Sequence, residues 1–316
     1  MSALLRLRFL AAVCATASAL VACGGGGGGN TSGATGASSS PLPIDPGAPV
    51  LTNDTATDGR NWINYRRGQV GMSTLSHSTI IDIAAQGHSE YQRINNTVTH
   101  VQTAGKPGFT GVTELDRLTA AGYTFANTSH AYGEVISATQ GQNGAYMAEQ
   151  LITAIYHRFV IFEPVFKEIG TGAASTSSGY SYFTADFTSN NGYGPGLAAG
   201  TVAVWPFSGQ TQVPVNFFSD YESPDPVPDL NEVGYPISVH ANINSTVTVQ
   251  SFTVKPRGGS NLTVRMLTHA TDAETVQSGA AIIPLVRLVS GTTYDVSFTG
   301  AVDGTPVSRS WSFTTQ

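Results

Sequence analysis

The chain has 316 residues, of which 41% are hydrophobic and only 11% charged, with a formal net charge of −6. That length accommodates two domains, the composition is that of a folded protein and not of a polar tail, and the acidic balance argues against nucleic acid as a partner.

The first segment reads as an address. Arg6 and Arg8 precede an apolar run from Phe9 to Ala22, too short for a membrane span and laid out as a secretory signal over residues 1–22. It ends in Leu20-Val21-Ala22-Cys23, which resembles the bacterial lipobox and marks Cys23 for lipidation, followed directly by the glycine run Gly24–Gly29. Gly24, in place of an aspartate, resembles the sorting pattern of outer-membrane lipoproteins. The expected location is therefore exported: an outer-membrane lipoprotein, periplasmic or surface-exposed, with the membrane as its first partner. Cys14 lies inside the segment that is removed, so the mature chain is expected to fold without a disulfide. Residues 23–57, rich in Gly, Ser, Thr, Ala and Pro, read as a flexible tether.

Mixed helix and strand follow over residues 58–190. A helix is expected around Asn61–Gln69. A second has Ile80, Ile81, Ala84, His88 and Tyr91 at helical spacing after Ser76 as N-cap, and ends near Asn95-Asn96. Glu114–Ala121 is a short helix closed by Gly122, and Gly144–Phe162 a longer one with Met147, Leu151, Ile155 and Phe159 on one face. Strands are expected at His130–Ser137, Glu168–Ala173 and Tyr180–Thr188, where aromatic and β-branched residues concentrate. Helices around a few strands make a layered α/β arrangement.

A Pro-rich connection occupies residues 191–236, with Ser223-Pro224-Asp225-Pro226-Val227-Pro228 at its centre. It reads equally as a stiff linker or a packed loop. Beyond Thr201 come short β-like runs at Val202–Trp205, Ile237–His240, Thr246–Val254, Leu262–Leu267, Ala281–Leu285, Thr293–Thr299 and Ser308–Thr314. The ending around Tyr294, with Trp311-Ser312-Phe313 after it, resembles Ig-like or fibronectin-III-like modules over residues 237–316, the tyrosine making a corner.

An ordered series gives the first part a family. Ala84-Ala85, His88, Tyr91 and Thr99-His100 are followed by Arg117, Ala121-Gly122-Tyr123 and Gly133-Glu134-Val135-Ile136. Tyr156-His157-Arg158, Ile169-Gly170-Thr171-Gly172 and Tyr182-Phe183-Thr184 complete it. Together they resemble the CAP superfamily, also called SCP or PR-1-like, in its bacterial form. The resemblance implies an α+β fold: an α-β-α sandwich, here followed by the all-β Ig-like sandwich. It also implies a central cavity lined by two histidines and acidic residues that can hold a divalent metal such as zinc. Carried over by motif, His100 and His157 are the cavity histidines and Glu134 the acid of the strand. Val135 stands where the family usually has Asn. The second acid has no clear counterpart; Glu149, two helical turns before His157, is the candidate.

Two neutral imidazoles beside a carboxylate either bind a cation or share a proton, and the residues leave both uses open. Individually they have plainer readings: a helix-end histidine is commonly a cap, and Glu134 could pair with Arg158. His77, His88, His130, His240 and His269 have no motif and read as packing or solvent residues. No Gly-x-Ser-x-Gly elbow, phosphate-binding glycine loop or mature cysteine nucleophile is present. No catalytic residue is assigned. The expected function is ligand binding, of a small apolar ligand, a metal or a cell-envelope component, by a membrane-anchored protein. Adhesion or scaffolding through the β-sandwich and metal-assisted hydrolysis with Glu134 as base are the alternatives.

Overall fold

The structure, a computed structural model, describes residues 47–316 apart from residue 142. The signal segment, Cys23 and most of the tether lie outside the described residues.

The first half is built on one four-stranded sheet. Its strands are β1 (Ser76–His77), β2 (Ala131–Gln140), β3 (Glu168–Ser175) and β4 (Tyr180–Ser189), in the order β1-β3-β4-β2. Only the β1–β3 pairing is parallel. Side-chain alternation along these strands sends successive residues to opposite faces, and helices cover both. On one face lie α1 (Thr55–Gln69), α4 (Gly144–Thr153) and α5 (Ile155–Ile161): Gly59 of α1 abuts Phe183, and Gly133 lies under Val160 of α5. On the other lie α2 (Thr79–Asn95) and α3 (Glu114–Ala120). There Gly170 and Gly172 have backbone atoms of Ile81, Asp82, Ala85 and Gln86 where their β-carbons would stand, so α2 sits directly on β3.

Two helix boundaries differ from the periodicity. Ser76 does not cap α2, because the amides of Ser76 and Ser78 donate to Lys167 and Ile169 carbonyls in the parallel ladder. The helix begins only after Ser78. The expected single helix Gly144–Phe162 is two, broken at Ala154 with φ −70° and ψ 122°. Glu222, far along the chain, and Arg158, within α5, supply what the break leaves unpaired. The Glu222 carboxylate accepts the amides of Ile155, Tyr156 and His157 at 2.8, 2.7 and 3.2 Å. Arg158 donates to the Ile152 and Thr153 carbonyls that α4 leaves open.

The C-terminal half is largely β, with several antiparallel sheets. One contains β5 (Ala203–Trp205), β8 (Ile237–His240), β10 (Val264–Thr268) and β11 (Gly279–Pro284), in the order β10-β11-β8-β5. A second contains β9 (Val247–Pro256), β12 (Thr293–Val302) and β13 (Thr305–Thr314), with β12 in the centre. A short pair, β6 (Phe217–Phe218) and β7 (Glu232–Val233), stands apart. The stretch expected as connection thus contributes β5, β6 and β7. Tyr294 does turn back on the chain: its hydroxyl accepts the Val289 amide at 2.8 Å.

The halves share a core. Phe162 meets Trp205 and His240 at ring distances of 5.1 and 5.5 Å, and the Arg66 guanidinium lies over both Trp62 and Trp205. Arg158, fully buried, reaches the Pro236 carbonyl and the Ser238 hydroxyl, while Glu163 accepts the Ile243 amide.

Candidate functional site

The face of the sheet under α2 and α3 carries a buried polar cluster. Glu134, on β2, points to this face because Val135 beside it fills the opposite core. Its carboxylate is held from two sides. His100 Nδ1 lies 2.8 Å from Oε1, and Arg117 Nη2 donates to Oε2 at 2.5 Å. Arg117 also donates to the His100 carbonyl at 3.0 Å, tying α3 to the loop that carries the histidine. A capping box between Thr113 and Asp116 starts α3 and sets Arg117 on its inner side. Burial raises the Glu134 carboxyl, but the opposing pull of Arg117, then of the two histidines, leaves it well below the usual carboxylate range. Glu134 is therefore an anion, and His100 Nδ1 carries the proton that faces it.

His88 supports this arrangement from α2. It is fully buried, and burial pushes its imidazole down to about 4. Geometry fixes the same neutral form. Nε2 lies 2.7 Å from the Thr99 carbonyl, which can only accept. Nδ1 lies 2.9 Å from Gln102 Nε2, an amide whose oxygen already accepts the Thr110 amide. Neutral His88 thus holds the Thr99 carbonyl before His100 and the Gln102 side chain after it.

Two further acids complete the cluster. Asp186 on β4 stands directly opposite Glu134 in the strand register. Neither of its oxygens meets hydrogen-bond geometry, and burial, then the Glu134 charge, pushes its carboxyl well above the usual range. Glu114, at the start of α3, is shifted the same way by burial, Asp186 and Glu134. Two acids that favour the neutral form beside one held ionised keep the negative charge on Glu134.

The outlet of the cluster is His100, whose side chain is 37% exposed against 2% for Glu134. Its Nε2 has no hydrogen-bond partner among the described residues.

The other expected site residues are placed elsewhere. His157, on α5 across the sheet, directs Nδ1 to Glu222 at 3.0 Å. Glu149 accepts from Trp62 Nε1 at 2.6 Å and from Arg66 Nε at 2.9 Å, joining α4 to α1. Arg158 serves the α4–α5 break, and Glu134 pairs with Arg117 instead. Among the described residues, no group of three or more His, Cys, Asp or Glu side chains is arranged to hold a metal. With both Glu134 oxygens engaged, a cation arriving from solvent meets a single donor, His100 Nε2. A catalytic zinc takes three protein ligands, so this donor set as placed does not fit one.

His88, Arg117, Glu114 and Asp186 were not singled out as site residues from sequence. The available signals are His88 in the apolar stripe of α2 and Asp186 as the one charged residue of a strand rich in aromatic and threonine residues.

A family model for CAP, described as the cysteine-rich secretory protein family, matches residues 61–187. No curated protein matches the sequence. Among solved structures, an extracellular protein containing an SCP domain from Bacillus anthracis is 23% identical with a TM-score of 0.35, over 43% of this chain and 40% of that one. An outer surface protein from Borrelia burgdorferi is 14% identical with a TM-score of 0.35, over 42% and 90%. A cysteine-rich secretory protein from Staphylococcus aureus is 13% identical with a TM-score of 0.30, over 44% and 40%. The match thus spans well under half the length of the Bacillus and Staphylococcus proteins. Residues 61–187 are a CAP domain, followed in this chain by a largely β region.

Proposed function

We propose that this chain is an exported, lipid-anchored CAP-domain protein that binds a small, partly apolar ligand at His100. The observation that carries this reading is the Arg117–Glu134–His100 chain of contacts, which fixes the imidazole with Nδ1–H turned inward and leaves Nε2 facing outward for a hydrogen bond with a ligand. Exposed Val98 lies two residues before it in the chain, and exposed Val112 stands beside Gln102, whose amide donates to the Val112 carbonyl. A hydroxyl on an otherwise apolar molecule suits that surface.

The test is nuclear magnetic resonance of the purified protein, titrated with a long-chain alcohol and with the matching alkane. The alcohol is expected to shift the His100 ring signals and to lose its effect in His100→Ala, with the alkane weaker. No shift in the wild type overturns the reading. Elemental analysis of wild type and His100→Ala addresses the metal alternative, and equal contents are expected.

For hydrolysis, Glu134 is a poor base, since its carboxylate is held ionised and engaged at both oxygens. The adhesive alternative has one observation of its own. A groove of about 430 Å³ opens on the β9–β12–β13 sheet, lined by Lys255, Arg257, Asp295, Ser297, Ser310 and Ser312. The Ig-like reading of this region draws support from the Tyr294 corner.

A further inference from the structure

The outer face of the β9–β12–β13 sheet is built of hydroxyls and charges. Strand register sets Thr253, Ser297 and Ser310 in one rung across it, and Lys255, Asp295 and Ser312 in the next. Alternation turns the residues between them, Val254, Val296 and Trp311, into the core. Chain running past both edges borders this face and makes it the groove of about 430 Å³. Alongside β9 the Leu262 amide donates to the Val254 carbonyl at 2.9 Å, which brings Asn261 to one margin. Alongside β13 the Gly209 amide donates to the Ser312 carbonyl at 2.7 Å, which brings Ser208 to the other. From margin to margin the groove crosses three strands, about 19 Å at the usual strand spacing.

The protein itself leaves most of these polar groups unused. The hydroxyls of Thr253, Ser297, Ser310 and Ser312 have no hydrogen-bond partner among the described residues, whereas one rung beyond Asp295 on the same face Thr293 and Thr314 pair at 3.0 Å. Arg257 holds Asp295 through Nε and Nη2, the latter at 2.7 Å, while the Lys255 ammonium forms no ion pair among the described residues. The groove is therefore positive, with two cations to one carboxylate, on a chain whose formal net charge is −6. A second groove, of about 290 Å³, meets it at Ser208 and carries Arg309 with no carboxylate in its lining.

This chemistry selects the ligand. Hydroxyls that both donate and accept match the hydroxyls of a sugar, and cations without a carboxylate of their own call for negative charge along it. A protein partner needs an apolar or aromatic anchor, and a single nucleic acid strand needs a ring to stack on; the sheet face offers neither. We propose that this groove binds an acidic oligosaccharide, a sugar chain bearing carboxylate or phosphate groups, laid across the three strands with one anionic group at Lys255. The site belongs to the β-rich half and is independent of the ligand at His100 and of the lipid anchor.

The experiment measures binding of the purified full-length protein by biolayer interferometry at physiological ionic strength. Four surfaces are compared: polygalacturonate, phosphomannan, neutral dextran and polyglutamate. Binding to polygalacturonate or phosphomannan is expected, the stronger of the two assigning the anionic group, with dextran and polyglutamate about tenfold weaker or worse. Lys255→Gln and Ser297→Val are each expected to weaken it about tenfold, on protein that circular dichroism shows to be folded. Arg265→Gln, which removes a charge from exposed β10 in the other sheet, and His100→Ala are expected to leave it unchanged. No binding to either acidic glycan overturns the inference. Polyglutamate binding as tightly as the glycans makes charge alone the cause, and dextran binding as tightly makes the anionic groups irrelevant; either result overturns it. A loss with Arg265→Gln equal to that with Lys255→Gln, or a loss with His100→Ala, places the glycan elsewhere and overturns it too.

Discussion

At the scale of single residues, the site is governed by which groups carry charge. His88 is neutral in the folded protein, its imidazole pushed down to about 4, whereas an unfolded chain takes up that proton near 6.5. The unfolded state therefore binds more protons between those values, so the contribution of His88 is complete above pH 6.5 and is lost as the pH falls toward 4. The span corresponds to about 3 kcal/mol. Urea denaturation of wild type and His88→Gln from pH 7 to pH 4 is expected to show the wild type losing up to that much more stability than the variant. Parallel curves would contradict it. The sequence made the His100–Glu134 pair legible only through the CAP resemblance, because 34 positions separate the two and no local spacing brings them together. Arg117 and Asp186 were harder to see, since their roles depend on strand register and on the roll of α3. A strand sequence states its alternation but not its register.

At the scale of elements, α2, α3 and the long strands follow their periodicity, while the break at Ala154 contradicts it. The local sequence from Gly144 to Phe162 is helical throughout in its apolar spacing. What ends the helix lies far along the chain, at Glu222, together with an arginine that turns back on its own preceding carbonyls. Glu222→Ala leaves the N–H groups of Ile155, Tyr156 and His157 without this acceptor in a buried setting. A loss of about 2–4 kcal/mol is expected, from the cost of leaving buried donors unsatisfied. Chemical denaturation measures it, and hydrogen exchange at Ile155 and Tyr156 is expected to rise well beyond that of β4. Glu222→Gln, which retains one acceptor oxygen, is expected to lose less. The same contacts account for His157: the Tyr156-His157-Arg158 motif serves the seam between the two halves.

At the scale of the whole molecule, the length leaves room for two domains, and the structure joins the two halves through a common core. Phe159 and Phe162 of the first half pack on His240, and Arg66 lies between Trp62 and Trp205. Removing residues 201–316 uncovers these rings and strands Arg158 without the Pro236 and Ser238 groups it uses. The truncated chain is expected to aggregate or to show no cooperative thermal transition, measured by light scattering and circular dichroism. A soluble, cooperatively unfolding fragment would show that the CAP domain stands alone. Such a seam was not readable in the sequence, because aromatic residues that look like the edge of one core belong to the middle of a larger one.

The two glycines of β3 have a mechanical effect as well. With Gly170 and Gly172 in place, α2 rests backbone to backbone on the strand and has no room to roll or slide without first lifting away. The helix is in effect a stiff bar, and on its inner side His88 holds the Thr99 carbonyl, one residue from His100. An alanine at position 170 or 172 would drive its β-carbon into the α2 backbone and displace the helix, and with it His88 and the Thr99 carbonyl that His88 holds beside His100.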